Sequence, residues 1–369
     1  MTAAPDHVVI GGGVVGAATA RALAARGERV LLVEQFGRGH DRGSSHGGSR
    51  IFRMGYADAE YVALCQQALD AWRALEAASG RTLLDLTGAV DHGRPEQIDA
   101  IAAALTDADI AHERLTPDQA AARWPGLSFE GAVLTHPSAG RIRSADTIEA
   151  LLDLAAADGA ELRFGTRVAD LQDHGDTVTL TLDGAEGTTS VTAASVVAAV
   201  GSWAPAVVGA ALAGRGSGLP AIRVTQEQPA HFPSHLPDAA WPSFVHWQLD
   251  GPDVYGLLTP GEGVKVGFHG TGPVVDPDHR DTTPLPEQVV QLQAYVARFV
   301  PGVDAAAPEL ISCLYDNSPS EDFVLDRRGP VTVATGSSGH GFKFAPLLGQ
   351  MLADLATGGD AHPRFRLPG

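Results

Sequence analysis

The sequence predicts an α/β protein of two unlike parts, one wound around a parallel sheet and the other built on a mixed, largely antiparallel sheet. Three stretches predict it. The N-terminal "HVVIGGGVVGAATARALAARGERVLLVE" reads as strand, glycine turn, Ala-rich helix and second strand. Near the other end, "VTVATGSSGHGFKFAPLLGQMLADLATG" repeats the order strand, glycine loop, helix. Between them, "DVYGLLTPGEGVKVGFHG" alternates about a turn at Pro260 to Gly263, as an antiparallel hairpin does.

In the first stretch Gly11, Gly13 and Gly16 have the G-x-G-x-x-G spacing, and Glu34 closes the second strand. Such glycines permit a tight turn, close approach of a pyrophosphate and helix–strand contact, while the acid accepts from a ribose hydroxyl. With strand, helix and acid all in place, the unit is Rossmann-like and binds a dinucleotide.

The second stretch carries Leu347, Leu348, Met351, Leu352 and Leu355 on one helical face, with Pro346 near its start and Gly358 past its end. His340 and Lys343 sit in the small-residue loop at that helix N-terminus, where a second cradle for an electron-rich group is expected. In the hairpin, Val264, Val266 and Phe268 share one face, and Lys265, Gly267 and His269 share the other. Lys265 therefore stands over a cavity rather than in the apolar layer. From about 80 to 140 helices mix with short strands, and from about 220 to 260 the pattern is antiparallel β.

A length of 369 residues suggests about two domains. The net charge of −18 disfavours a nucleic-acid partner. Cys65 and Cys313 cannot build a disulfide framework, and the 14 histidines show no zinc-ligand spacing, so no metal is expected. The start has no secretory pattern, and the cytoplasm is the default. Gly187 to Gly214 is uncharged and long enough to span a bilayer, yet it reads as buried strand, Gly-Ser-Trp turn and Pro-started helix, with no membrane span.

Only two of the 26 basic residues are lysines, Lys265 and Lys343. An ammonium is a compact, rotatable point charge, whereas a guanidinium is a broad fork that keeps its proton. "GSSHGGSRIFRMGY" places Arg50 and Arg53 in a glycine- and serine-dense loop after the second strand, alongside a bound dinucleotide and suited to a carboxylate or a ring edge. Cys65 falls at helical spacing with Val62, Leu69 and Trp72, as a core residue does. For Cys313 the residues alone point no further than a buried thiol.

The segments "VVIGGGVVGAATARALAARGERVLLVEQ", "GSSHGGSRIFRMGY", "GRIRSADTIEALLDLAAADGAEL", "VVAAVGSWAP", "GVKVGFHG", "SCLYDNSPSEDFVLD" and "GSSGHGFKFAP" occur in this order. In this the chain resembles, nearly end to end, the monomeric sarcosine oxidase and N-methyltryptophan oxidase group of the D-amino-acid-oxidase-like FAD enzymes. The resemblance implies a discontinuous FAD domain (1–85, 141–219 and 308–369) and a substrate domain (86–140 and 220–307). It implies FAD bound covalently, the Cys313 sulfur on the flavin 8α-methyl carbon. Lys265 would face flavin N5 and activate O2, with Arg50 and His269 beside it in catalytic roles. Arg53 and Lys343 would hold the substrate carboxylate, with Tyr255, His269 and Tyr315 lining the substrate side.

Gly11, Gly13, Val15, Gly16, Glu34, Ser44, Ser45, His46, Arg50, Val168, Gly201, Trp203, Gly339, Gly341, Phe342 and Lys343 would complete the cofactor contacts. The implied reaction is oxidation of a secondary-amine amino acid, N-methyl or cyclic, by a monomer that turns O2 into H2O2. Ser45-His46 stands where the sarcosine enzymes have His-His, and "RMGY" replaces Arg-His-Ala-Tyr, which leaves the amine itself open. An NAD-dependent amino-acid dehydrogenase, and a flavin-bearing binding protein without turnover, are the alternatives.

Overall fold

The computed structural model describes residues 4–368. Strands β1 (His7–Ile10) and β2 (Val30–Val33) flank helix α1 (Val14–Ala24), and every residue of both strands is buried. They occupy the middle of a six-stranded sheet in the order Val324–Arg328, Val331–Thr335, Ser195–Ala198, β1, β2, Glu161–Arg163. Only the first pairing is antiparallel. A parallel sheet needs cover on both faces, which is why these strands read as unbroken apolar runs.

One face is covered by α1 with the helices Ser144–Ala157 and Ala345–Ala356, through Ala17, Leu23, Leu151, Leu348 and Leu352. On the other face a three-stranded antiparallel sheet, Arg167–Asp173, Val178–Gly184 and Gly187–Ala193, lays Val178, Leu180 and Leu182 over Val8, Ile10, Val33 and Val196. Each buried Val or Leu contributes about 1.5–3 kcal/mol, so both covered faces stabilise the domain. The uncharged run forms the strand Ser195–Ala198, a tight turn at Gly201–Trp203 and a helix Ala204–Gly214 with Pro205 in its first turn. Among the described residues no helix is long and apolar enough to cross a membrane.

Two further pieces reach toward the second sheet. Strand β3 (Ser49–Phe52) pairs with Gly140–Arg143. Helix α2 (Ala59–Ser79) starts at Asp58, whose carboxylate accepts from the Glu60 and Tyr61 amides, and stops at Gly80 with φ +66°. Cys65 and Trp72 lie on its fully buried face, as the helical spacing implied.

The second sheet has eight strands, in the order Glu309–Leu310, Ala230–Phe232, Gly263–Phe268, Val254–Thr259, Ser243–Trp247, Ala89–Gly93, Ala132–His136, Glu113–Leu115. Only Ser243–Trp247 against Ala89–Gly93 is parallel, so it is mixed and largely antiparallel, as expected. Val264 and Val266 pack with Phe232, Phe244 and the helix Pro286–Phe299 through Val296 and Phe299. With that face taken by apolar cover, alternation turns Lys265 to the opposite side, where the cavity lies.

Candidate active site

A cavity of about 850 Å³ runs from the N-terminus of α1 to the lysine-bearing face of the second sheet. That is the upper part of the range of about 300–1,000 Å³ for ligand sites. At the α1 end, the Gly12 amide donates to Glu34 Oε2 (2.6 Å) and the Phe36 amide to Oε1 (2.8 Å). Burial pushes the Glu34 carboxyl up, but His40 and these two amides outweigh it, and the group stays below its ordinary range. It is an acceptor fixed at the end of β2. Ser45 Oγ accepts from the Val14 amide (3.2 Å), one of the free donors that open α1. A Cβ on Gly16 would lie 1.9 Å from the Gly11 carbonyl oxygen, so only glycine lets α1 pack this tightly on the turn.

The loop after β2 is built around Arg50. Its guanidinium donates to the carbonyls of Ser49 (2.7 Å), Ser44 (2.8 Å) and His46 (2.6 Å) and lies 5.5 Å from the Phe342 ring centre. No carboxylate among the described residues pairs with it, so its charge is left for the cavity. Cys313 opens the strand Cys313–Asn317, buried, with Sγ 3.8 Å from the Ser44 carbonyl oxygen. Lys265 is 5% exposed. Burial, and then Arg50, lower its pKa to about 7. Burial and the Lys265 charge likewise hold His231, its partner across the strands, at about 4, neutral near pH 7.

A second positive group sits beyond them. Lys343 Nζ donates to Tyr56 Oη (2.9 Å) and to the His340 carbonyl (2.9 Å). Burial, then Arg53, bring its pKa to about 7. The Arg53 guanidinium lies 4.8 Å from the Tyr56 ring centre and 5.5 Å from that of Trp247. Behind it Asp91, fully buried, accepts from the Trp247 indole (3.1 Å) and stands 3.9 Å from Arg53 Nη1. Burial raises the Asp91 carboxyl against the pull of Arg53 and Trp247. His269 and Tyr315, with ring centres 5.6 Å apart, complete an aromatic wall with Tyr255. The second glycine loop is pinned by Asp316, which accepts from Ser337 Oγ and from Thr335 Oγ1 (3.1 Å).

The cavity gathers the expected Lys265, Arg50, Arg53, Lys343, His269, Tyr255, Tyr315 and Cys313 on its walls. It also gathers Gly11, Gly13, Val15, Glu34, Ser44, Ser45, Val168, Gly201, Trp203, Gly339, Gly341 and Phe342. Gly16 and His46 stand outside the lining: Gly16 serves packing, and His46 Nδ1 is bonded to the Gly43 carbonyl (2.9 Å). Sequence reasoning missed Tyr56, Trp247 and Asp91. The signal for Asp91 was an acid in the apolar strand "AVDHG", since a buried charge needs a partner.

A helix N-terminus, a fixed acid at the end of β2 and a long cleft ending in Arg53 and Lys343 define a site suited to a dinucleotide at one end and a small acid at the other. The chain belongs to the FAD dependent oxidoreductase (DAO) family, whose model matches residues 6–355. It is 36% identical to the monomeric sarcosine oxidase of Streptomyces avermitilis, across 97% of this chain and 95% of that protein. It is 28% identical to the N-methyl-L-tryptophan oxidase of Salmonella agona, across 96% and 95%. Among solved structures it is similar to NikD, an amino acid oxidase of nikkomycin biosynthesis, with a TM-score of 0.85 and 29% identity over 98% of this chain and 95% of that one. FAD is the cofactor of the family, which sets the nicotinamide alternative aside.

Proposed function

We infer that the chain is an FAD-dependent oxidase of a secondary-amine amino acid, N-methyl or cyclic. The observation that carries this is the pairing of the half-buried Arg53, with Asp91 behind it at 3.9 Å, and the buried Lys343, which has no protein carboxylate partner among the described residues, in the same cavity as Lys265 and Cys313. FAD, when bound, supplies the hydride acceptor and the route to oxygen. Its nucleotide half would be held by Glu34, the α1 N-terminus and Ser45, and its ring end by Arg50, Cys313 and the loop through Gly341 and Phe342. The glycine turn fits such a group, because Gly11, Gly12, Gly13 and the start of α1 line the cavity there with backbone rather than side chains.

The protein's own work is orientation. Arg53 and Lys343 hold the carboxylate by charge-assisted hydrogen bonds, and Tyr255, His269 and Tyr315 wall in the rest of the amino acid. Lys265, in its protonated form, puts a positive charge where oxygen gains a negative one. Cys313 would tether the cofactor through its sulfur. The product imine hydrolyses, and O2 leaves as H2O2. We propose the domain division at residues 85, 140, 219 and 307, and a cytoplasmic enzyme acting as a monomer, as the name of the Streptomyces relative describes that protein.

Anaerobic mixing of the yellow protein with a panel of N-methyl amino acids, cyclic imino acids and sugar-amine adducts tests the reading. Bleaching by one class names the substrate. Colour unchanged by every secondary amine would leave a binding protein without turnover.

A further inference from the structure

Tyr56 and His340 form a hydrogen-bonded chain that ends on Lys343. His340 Nε2 lies 3.0 Å from the Glu321 carbonyl oxygen, and His340 Nδ1 lies 3.1 Å from Tyr56 Oη. A carbonyl only accepts, so Nε2 carries the proton and Nδ1 is bare. Nδ1 then takes the single Tyr56 proton, and the Tyr56 oxygen is left as an acceptor. Its partner is Lys343 Nζ, at 2.9 Å, whose other protein bond goes to the His340 carbonyl.

The polarity of the whole chain is therefore set from Glu321 inward. Glu321 has φ +61°, an uncommon backbone conformation for a residue other than glycine, and lies on the cavity rim. An ammonium has three N–H donors. Two are committed to Tyr56 and to the His340 carbonyl, and one remains for the cavity.

Resting on the reading of Lys343 as a carboxylate-binding group, we propose that His340 and Tyr56 are positioning residues that aim its third N–H at the substrate carboxylate. The N–H so aimed favours an anion at that point, because a charged donor bonds a carboxylate oxygen about twice as strongly as a neutral acceptor. A neutral amide or alcohol gains little from it.

Calorimetric titration of the holoenzyme with methoxyacetate, in which an ether oxygen replaces the amine, and with its neutral amide separates this role from simple packing. His340→Phe keeps the ring stacked on Phe323, now 4.9 Å between centres, and removes both hydrogen bonds. Methoxyacetate binding should weaken at least about tenfold, the loss expected for one hydrogen bond to a charged group, while the amide changes by less than about twofold. Tyr56→Phe should show the same split.

His340→Asn, which restores an acceptor near the Nδ1 position, should recover most of the loss. Equal weakening of both probes, no weakening of either, or failure of Asn to rescue would overturn the proposal. Lys343→Met is the control. If it too leaves the preference for the acid over the amide intact, the carboxylate role of Lys343 fails; if it removes the preference and His340→Phe does not, only the relay fails.

Discussion

Carboxylate affinity should fall steeply as pH rises above 7, and the fall should belong to Lys343. Its pKa of about 7, lowered from 10.5 by burial and then by Arg53, makes the ammonium the minority form at alkaline pH. The neutral amine has two N–H donors, both occupied by Tyr56 and the His340 carbonyl. It then has none to offer a ligand. At pH 9, two units above the pKa, roughly 1% of the empty sites carry the third N–H, so the apparent dissociation constant should be about 100-fold higher than at pH 6.

The other groups around Lys343 hold one form over this window. Cys65 is pushed up to about 12, and Tyr56 is raised by burial; His340 is held at about 3 and His269 is lowered, both by burial first. Lys265 also titrates near 7, so the profile is to be measured in the Lys265→Met background as well. Methoxyacetate titrations from pH 6 to 9.5 should show a plateau at low pH and a rise of about one log unit per pH unit at high pH. In Lys343→Met the affinity should be weak and flat. A flat wild-type profile, or a slope that survives in Lys343→Met, would refute the reasoning.

Cys313→Ser should release the flavin into the supernatant on acid precipitation, whereas the unaltered protein keeps its colour in the pellet; colour in the supernatant of the latter would end the case for a covalent bond. Lys265→Met should slow the reaction of the reduced enzyme with oxygen by about 10²–10³-fold, by analogy with loss of one preorganised donor, and change anaerobic reduction by the amine far less; stopped-flow mixing separates the two. Gly16→Ala forces a methyl to within 1.9 Å of the Gly11 carbonyl oxygen, and should cost at least about 1–3 kcal/mol with loss of bound flavin, read by thermal melting and by absorbance.

What the sequence determined by itself was everything carried by spacing along the chain. Gly11, Gly13, Gly16 and Glu34 lie within one β-α-β unit, where backbone geometry alone brings them together. Period-two alternation put Lys265 opposite Val264 and Val266, and helical spacing put Cys65 in the core. The family segments carried the further expectation that Arg53, Lys343 and Cys313 share one site; all three line the same cavity.

Tertiary structure alone decided what those faces meet. Alternation says which side of a strand a residue occupies and is silent about the surface set against it. Tyr56 and His340 are 284 positions apart and Tyr56 and Lys343 are 287, so no local pattern records their contact. Asp91 reaches Arg53 and Trp247 only because Ala89–Gly93 inserts as a parallel neighbour of Ser243–Trp247, a strand order set by packing of the whole sheet. The lowered pKa values of Lys265 and Lys343 are of the same kind, since burial among distant segments, rather than any neighbour in sequence, removes the water that would keep them charged.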